Sequence, residues 1–263
     1  IMQGIVSAVE VSYGITATAA EVTVTSESLL SSEKFTETVY QNPEKTFSSI
    51  LDNYPNVEKG RCGNLNKKIE NIIFCHGTDD FTFLKYLASE CECGLFITEE
   101  GKISFGTVNS KKTFNDKSVP YESAVLEKSV RADKNTRELN ILTMEQIPNG
   151  SAIQYQNTEY IVCSCEIYEE FDKVYFRYKA YTSPDYSFSE SLPPDFLTRC
   201  RVTENNDPDN MGRLKVEFTE FSDKDSKKKW IPFLTPFTGK NKGGFVMLPD
   251  KNDELIAGVS DGS

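Results

Sequence analysis

From Gly4 to Val24 apolar positions alternate with polar ones: Ile5, Ala8 or Val9, and Val11, then Ile15, Ala17 and Ala19, then Val22 and Val24, with a break at Tyr13-Gly14. Period two over short runs predicts strands joined by a turn. At Asn42-Pro43 the period changes. Phe47, Ile50, Leu51 and Tyr54 recur at helical spacing, Asn42 can cap, and Pro43 fits the first helical position, so a helix is predicted near residues 43–53. Pro55 ends it, because proline lacks a donor and restricts the residue before it. A second helix is predicted near residues 80–92 from Phe83, Leu84, Leu87 and Cys91, with Asp79 or Asp80 as its cap and Gly94 as a left-handed stop.

Strands are predicted over residues 95–98 and 102–105, with Glu100-Gly101 turning between them, and the chain reads as mostly extended from Tyr121 onward. Its clearest strands are 153–155, 159–167 and 174–181, with Gln156-Asn157 and Phe171-Asp172 at the junctions. Ser183 to Pro194 is polar and broken by Pro184, Pro193 and Pro194, which neither a helix nor a central strand tolerates. Beyond it lies a compact series of short strands. Arg201-Val202 leads into a turn at Asp207-Pro208, Leu214, Val216 and Phe218 alternate with Arg213, Lys215 and Glu217, and apolar runs follow at 230–234, 245–248 and 255–259. Five short strands in one small unit predict a closed or nearly closed barrel such as an OB-fold, with Leu214, Val216, Phe218, Trp230, Val246 and Leu255 inside or against it.

Composition narrows the chemistry. The 263 residues allow two ordinary domains, and no stretch approaches the ~20 apolar residues of a membrane span. A net charge of -11 repels phosphate backbones unless a basic face is segregated. The one dense basic run, Lys224, Lys227, Lys228 and Lys229, is interrupted by Asp225 and reads as a solvated loop. Seven cysteines, an odd count without a signal-peptide pattern, point to reduced cytosolic thiols. Cys91/Cys93 and Cys163/Cys165 are each spaced more tightly than usual zinc pairs, so they read as small buried hydrophobes and no metal is expected.

Catalytic constellations are wanting. The single histidine, His76, adjoins Cys75, and adjacent residues rarely aim their side chains at one another. Glu99-Glu100, Glu169-Glu170 and Asp207 with Asp209 all fall at predicted turns, where an exposed carboxylate keeps an ordinary pKa unsuited to acid–base work. Gly239, Gly243 and Gly244 lack the Lys-Ser or Lys-Thr of a phosphate-binding loop, and a tight inter-strand turn accounts for them. No catalytic residue and no cofactor are therefore expected.

The run Arg201-Val-Thr-Glu-Asn-Asn-Asp207-Pro208-Asp-Asn-Met-Gly212-Arg213-Leu-Lys-Val-Glu-Phe218 resembles the start of the OB-fold domain in VgrG-like spike proteins of type VI secretion systems and in phage baseplate hubs. Trp230, Pro236-Phe-Thr-Gly239, Lys242-Gly-Gly-Phe245, Leu248-Pro249 and Asn252-Asp253-Glu254-Leu255 follow in the family's order. Upstream, Val39-Tyr-Gln-Asn42 resembles its Phe-Gln-Asn segment, and Asp79-Asp-Phe-Thr-Phe83-Leu84-Lys-Tyr-Leu87 its Asp-x-x-Phe-Leu-x-Arg-Leu helix, with Gly94 to Phe96 in place of the strand that follows. Lys85 stands for the usual Arg, Thr238 for Ala and Asn252 for Gly. The last change can preserve its turn, because Asn tolerates positive φ.

The resemblance implies a mainly β fold: a hub-type β-barrel region with two short helices over residues 1–183, a linker at 184–197, and a small OB-fold barrel over 198–263. It implies a structural hub or spike component that joins the end of an injected tube to a needle, in a secretion system or a phage-like tail. The full-length protein is then expected to be a homotrimer that meets tube protein, baseplate components and a needle-tip or effector protein, without nucleic acid and without stable membrane insertion before firing. It would assemble in the cytoplasm, for delivery outward or into a target cell, or sit in a virion baseplate. The family's usual opening and needle fall outside residues 1–263, so this length alone is expected to be monomeric or weakly associated. An OB-type oligonucleotide- or carbohydrate-binding module and a baseplate-associated cell-wall hydrolase are the two competing readings.

Overall fold

The structure is a computed structural model that describes residues 5–13, 18–25, 37–98, 101–108, 111–114, 125–132, 136–170, 173–187, 195–223, 225, 227–235, 237–238, 244–245 and 247–260. In chain order its elements are β1 (Ile5–Tyr13), β2 (Thr18–Thr25), β3 (Thr38–Tyr40), α1 (Phe47–Leu51), β4 (Val57–Lys59), β5 (Ile73–Cys75), α2 (Asp80–Glu90), β6 (Leu95–Ile97) and β7 (Ile103–Phe105). There follow β8 (Lys111–Phe114), β9 (Val125–Ala132), β10 (Arg137–Thr143), β11 (Ala152–Tyr155), β12 (Thr158–Glu170) and β13 (Lys173–Tyr181). The tail carries β14 (Phe196–Glu204), β15 (Lys215–Phe218), β16 (Phe237–Thr238), β17 (Gly244–Phe245) and β18 (Glu254–Val259). The chain divides into two compact units, one of Ile1–Glu33, Leu51–Leu65 and Leu84–Phe188, the other of Lys34–Ile50, Asn66–Phe83 and Ser189–Ser263.

The first unit is organised on a six-stranded sheet in the order β8-β11-β12-β13-β10-β9. Leu139 and Ile141 of β10, Tyr160 and Val162 of β12, and Tyr178 and Ala180 of β13 recur two apart and are buried together, as alternation requires of one sheet face. Tyr178 is fully buried, and its hydroxyl accepts the Ile147 amide at 2.7 Å and donates to the Glu145 carbonyl at 3.3 Å. Gln156 and Asn157 turn β11 into β12 with both residues at positive φ, the signature of a tight hairpin turn. The expected hub barrel is not formed among the described residues. Among the described residues β8 and β9 are the free edges of this sheet, so it is open, as is the smaller β4-β7-β6 sheet beside it in the unit.

Both helices form, with different ends from those the sequence predicts. Asn42-Pro43 makes a turn instead of a cap: the Asn42 side chain accepts the Glu44 amide at 3.0 Å and its carbonyl accepts the Lys45 amide. The cap passes to Thr46, whose hydroxyl accepts the Ser49 amide while the Ser49 hydroxyl accepts the Thr46 amide, and α1 shortens accordingly. On α2 the carboxylate of Asp79 takes both the amide and the hydroxyl of Thr82, as a cap does. Its stop is Glu92, at φ 54°, with the Cys93 amide on the Ala88 carbonyl and the Glu92 amide on that of Ser89. Gly94 has another use. A Cβ there would lie 2.6 Å from the rings of Phe96 and Tyr186.

In the second unit β14 lies between β15 and β18, while among the described residues β16 and β17 pair only with each other and β3 pairs with β5. The predicted OB barrel is therefore not closed among the described residues. The run 230–234 supplies one bridge, Leu214 to Ile231, and not a strand, and the run 245–248 gives a two-residue β17. The reason lies in what covers the sheet. Cys200, Val202, Val216, Phe218 and Val259 are buried against Val39 of β3 and Ile72 and Phe74 at β5, so upstream strands supply the cover that barrel closure would otherwise provide. Phe74 anchors it, in edge-on contact with Phe196, Phe218 and Phe221 at 5.0–5.4 Å between ring centroids. The Val39 amide also donates to the Ser222 carbonyl, and the Ser222 amide to that of Glu37.

Candidate functional site

After β14 the chain loops through Asp207-Pro208 and returns at Arg213, and Asp207 organises the loop. Its side chain is only 2% exposed. One oxygen accepts the Asp209 amide at 3.1 Å, the other the amides of Met211 at 3.0 Å and Arg213 at 3.2 Å. The Arg213 guanidinium adds a two-pronged contact at 2.9 and 2.8 Å and also reaches the Asp209 carboxylate. The Arg213 fork, reinforced by the three amides, holds the Asp207 carboxyl far below the usual carboxylate range. Asn210 at φ 54° and Gly212 at φ 71° give the loop its sharp return, with Pro208 exposed at its tip. An acid so held has no lone pair for a substrate and no proton to give at neutral pH. Its chemistry is structural.

The other tail residues singled out from the sequence surround this loop or extend the sheet. The Pro249 carbonyl accepts the Asn205 side-chain amide at 2.9 Å. Asn252 sits at φ 73°, the conformation its substitution for glycine requires, and the Asp253 carboxylate takes the Asp250 amide. Glu254 pairs with Arg201 across β14 and β18 at 3.7 Å. Trp230 is half-buried rather than enclosed, with the Lys215 ammonium 4.8 Å from its ring centre. Leu214, Val216 and Phe218 are buried and Leu255 packs against them, whereas Val246 and Gly239 lie outside the described residues. Upstream, Phe83, Leu84 and Leu87 are all buried on α2.

One group of residues escaped the sequence reading. Asp223 is 3% exposed and accepts both the Lys228 ammonium at 2.6 Å and the Gln41 side-chain amide at 2.5 Å, while Lys45 pairs with Asp225 at 2.8 Å. The Lys229 ammonium donates to the Glu70 carbonyl. The basic run is thus not a freely solvated loop: Lys228 is 13% exposed and ties the run to the segment that carries Gln41. The signal was present in the aspartates interleaved with the lysines, but nothing in the run alone identifies Gln41 as the partner.

The remaining candidates are dispersed. The His76 ring meets Glu37 at 2.6 Å and lies 4.3 Å from the Phe196 ring centre, while the neighbouring Cys75 is wholly buried. Glu169 is exposed at the end of β12, and Glu99-Glu100 lie outside the described residues. All seven cysteines are free, and burial pushes the Cys163 thiol up to about 11. Among the described residues no group of three or more His, Cys, Asp or Glu is placed to hold a metal ion, and no helix is long and apolar enough to cross a membrane.

Residues 198–263, which contain the Asp207 loop and the sheet that carries it, match the family model of the type VI secretion system/phage-baseplate injector OB domain. The whole chain is similar to solved structures of a Francisella PdpA–VgrG complex. The half-lidded form aligns at TM-score 0.52 and 9% identity, covering 95% of this chain and 61% of the other. Over 95% of its length this chain shares the fold of a chain in that PdpA–VgrG complex. The lidded form of the VgrG complex aligns at TM-score 0.55 and 11% identity, covering 97% of this chain and 56% of the other. A lidless PdpA–VgrG complex gives 0.53 and 10%, covering 97% and 70%. The chain thus spans 61% and 56% of the length of the first two VgrG-complex chains it matches. No curated protein matches the sequence.

Proposed function

We propose that this chain is a structural hub or spike component of a contractile injection apparatus and has no catalytic role of its own. The observation that carries the reading is the injector-domain match over residues 198–263 within a chain that follows VgrG-complex structures over 95–97% of its length. The Asp207 loop supports it, since five hydrogen bonds make that carboxylate a brace and remove it from acid–base chemistry. The oligonucleotide reading is disfavoured by the net charge of -11 and by the commitment of Arg213, Lys45 and Lys228 to carboxylates.

The full-length protein is a homotrimer in this proposal, assembled in the cytoplasm at the end of the tube and delivered outward on contraction. Its partners are the tube protein, baseplate components, and a needle tip or effector, in line with PdpA–VgrG complexes that hold a chain of this fold within a larger assembly. Closed symmetry gives the free edges of the open sheets neighbours to cover them. Sedimentation of the full-length protein at several concentrations tests this: a stable trimer is expected, and a monomer that persists at high concentration overturns it.

A further inference from the structure

Cys62 and Cys93 are far apart in sequence but flank one small piece of backbone in the first unit. Gly60 donates to the Phe105 carbonyl, and Arg61 exchanges two hydrogen bonds with Thr107 at 2.8 and 3.1 Å, which fixes Cys62 beside Gly106. Gly106 in turn donates to the Gly94 carbonyl at 2.9 Å, next to Cys93, whose own amide is held by the Ala88 carbonyl in the cap of α2. Gly106 has φ 96°, and a Cβ there would stand 3.1 Å from the Cys62 Cβ and 2.8 Å from the Arg61 carbonyl oxygen. The bare glycine opens the slot in which the Cys62 side chain lies. From that slot the Cys62 thiol reaches the Cys91 carbonyl at 3.7 Å. That carbonyl lies in the cap that holds Cys93, whose thiol is pushed far above the usual range by burial first and then by the Cys62 and Cys91 thiols.

The geometry points to Cys62 and Cys93 as a thiol pair that closes to a disulfide on exposure to a disulfide oxidant and thereby ties the segment after β4 to the end of α2. Cys62 is partly exposed and Cys93 buried, so the attack order follows. The Cys62 thiolate, having lost its proton to solvent, attacks a small-molecule disulfide and releases one thiol equivalent. Cys93, its proton lost to solvent, then attacks the Cys62 sulfur of the mixed disulfide, so that the Cys62–Cys93 bond forms as the bond to the second equivalent breaks and that thiolate leaves and takes up a proton. Two protein thiols are oxidised, one external disulfide is reduced to two thiols, and nothing else is consumed. The tether closes a loop of some 30 residues, and closing a loop of that order restricts the unfolded chain.

The test uses the folded 263-residue protein, oxidised glutathione, and peptide mapping by mass spectrometry after the remaining thiols are alkylated. The expected product is a Cys62–Cys93 cross-link two hydrogens lighter than the dithiol, with a higher urea midpoint that returns to its starting value on reduction. Cys62→Ser and Cys93→Ser should each abolish the cross-link and the midpoint rise while circular dichroism shows them folded. A Cys62–Cys91 link, glutathione retained on Cys62 without a cross-link, or Cys62 left untouched would each overturn the assignment. So would a Cys62–Cys93 cross-link that forms no faster in native protein than in urea-unfolded protein. None of these results bears on the hub reading, which rests on other residues.

Discussion

A carboxylate that accepts five hydrogen bonds contributes stability only while it is ionised, and Asp207 is in that position. In the unfolded chain it titrates near the ordinary aspartate value of about 3.9, and in the folded chain far lower. Its contribution is therefore complete above the unfolded value and is lost as pH falls from about 4 through the depressed folded value. Asp207→Asn should lower the urea midpoint of the second unit at neutral pH, and the gap from wild type should narrow as the solution is acidified below about pH 4. A gap of constant size across that range would mean that the ionised form is not what braces the loop. Lys228 gives a second case. Removing its ammonium leaves the buried Asp223 carboxylate short of its cation, at a cost on the order of 1–3 kcal/mol, whereas Lys227→Met on the exposed side should stay within about 0.5 kcal/mol. Equal denaturation midpoints for Lys228→Met and Lys227→Met would return the run to a solvated loop.

Among the elements, the sheet of β14, β15 and β18 takes its core from two distant stretches of sequence. Leu214→Ala removes a fully buried side chain and should cost about 2–5 kcal/mol, while Trp230→Ala should cost less, since Trp230 is half-buried beneath Lys215. The reverse order in urea denaturation would place the indole inside the core after all. Gly94→Ala presses a methyl into the rings of Phe96 and Tyr186 and should cost about 1–3 kcal/mol, with no change in where α2 ends. The sequence made α2 legible, because its cap, its apolar stripe and its length all act within a dozen residues. It made the alternation of Leu214, Val216 and Phe218 legible too. What covers that face was not legible: alternation reports that one side of a strand is buried, and the burying residues Val39, Ile72 and Phe74 lie far upstream. That is why a closed barrel was the natural expectation and an open sheet the outcome. Asn42-Pro43 misled for a local reason, since asparagine before proline serves a turn as well as a cap, and Thr46 with Ser49 formed the better box.

At the scale of the molecule, both units are built on sheets that are open among the described residues, and the proposed assembly would give their edges neighbours. The order of motifs from Asp207 to Glu254 was what made the injector family legible, because several turns and strands in sequence constrain a fold more than any one motif. The candidate site was legible as residues and not as chemistry: Asp207 and Arg213 stood out, but only the structure shows that they are committed to each other. The most direct test of the hub reading is where the full-length protein sits in an assembled particle. Tube–sheath particles isolated from the cells that carry the gene, with the protein bearing a visible tag, can be imaged by electron microscopy. The account predicts the tag at one end of the tube, and particles that lose that end structure when the gene is deleted. Particles that assemble complete without the protein, with no tag at either end, would contradict it.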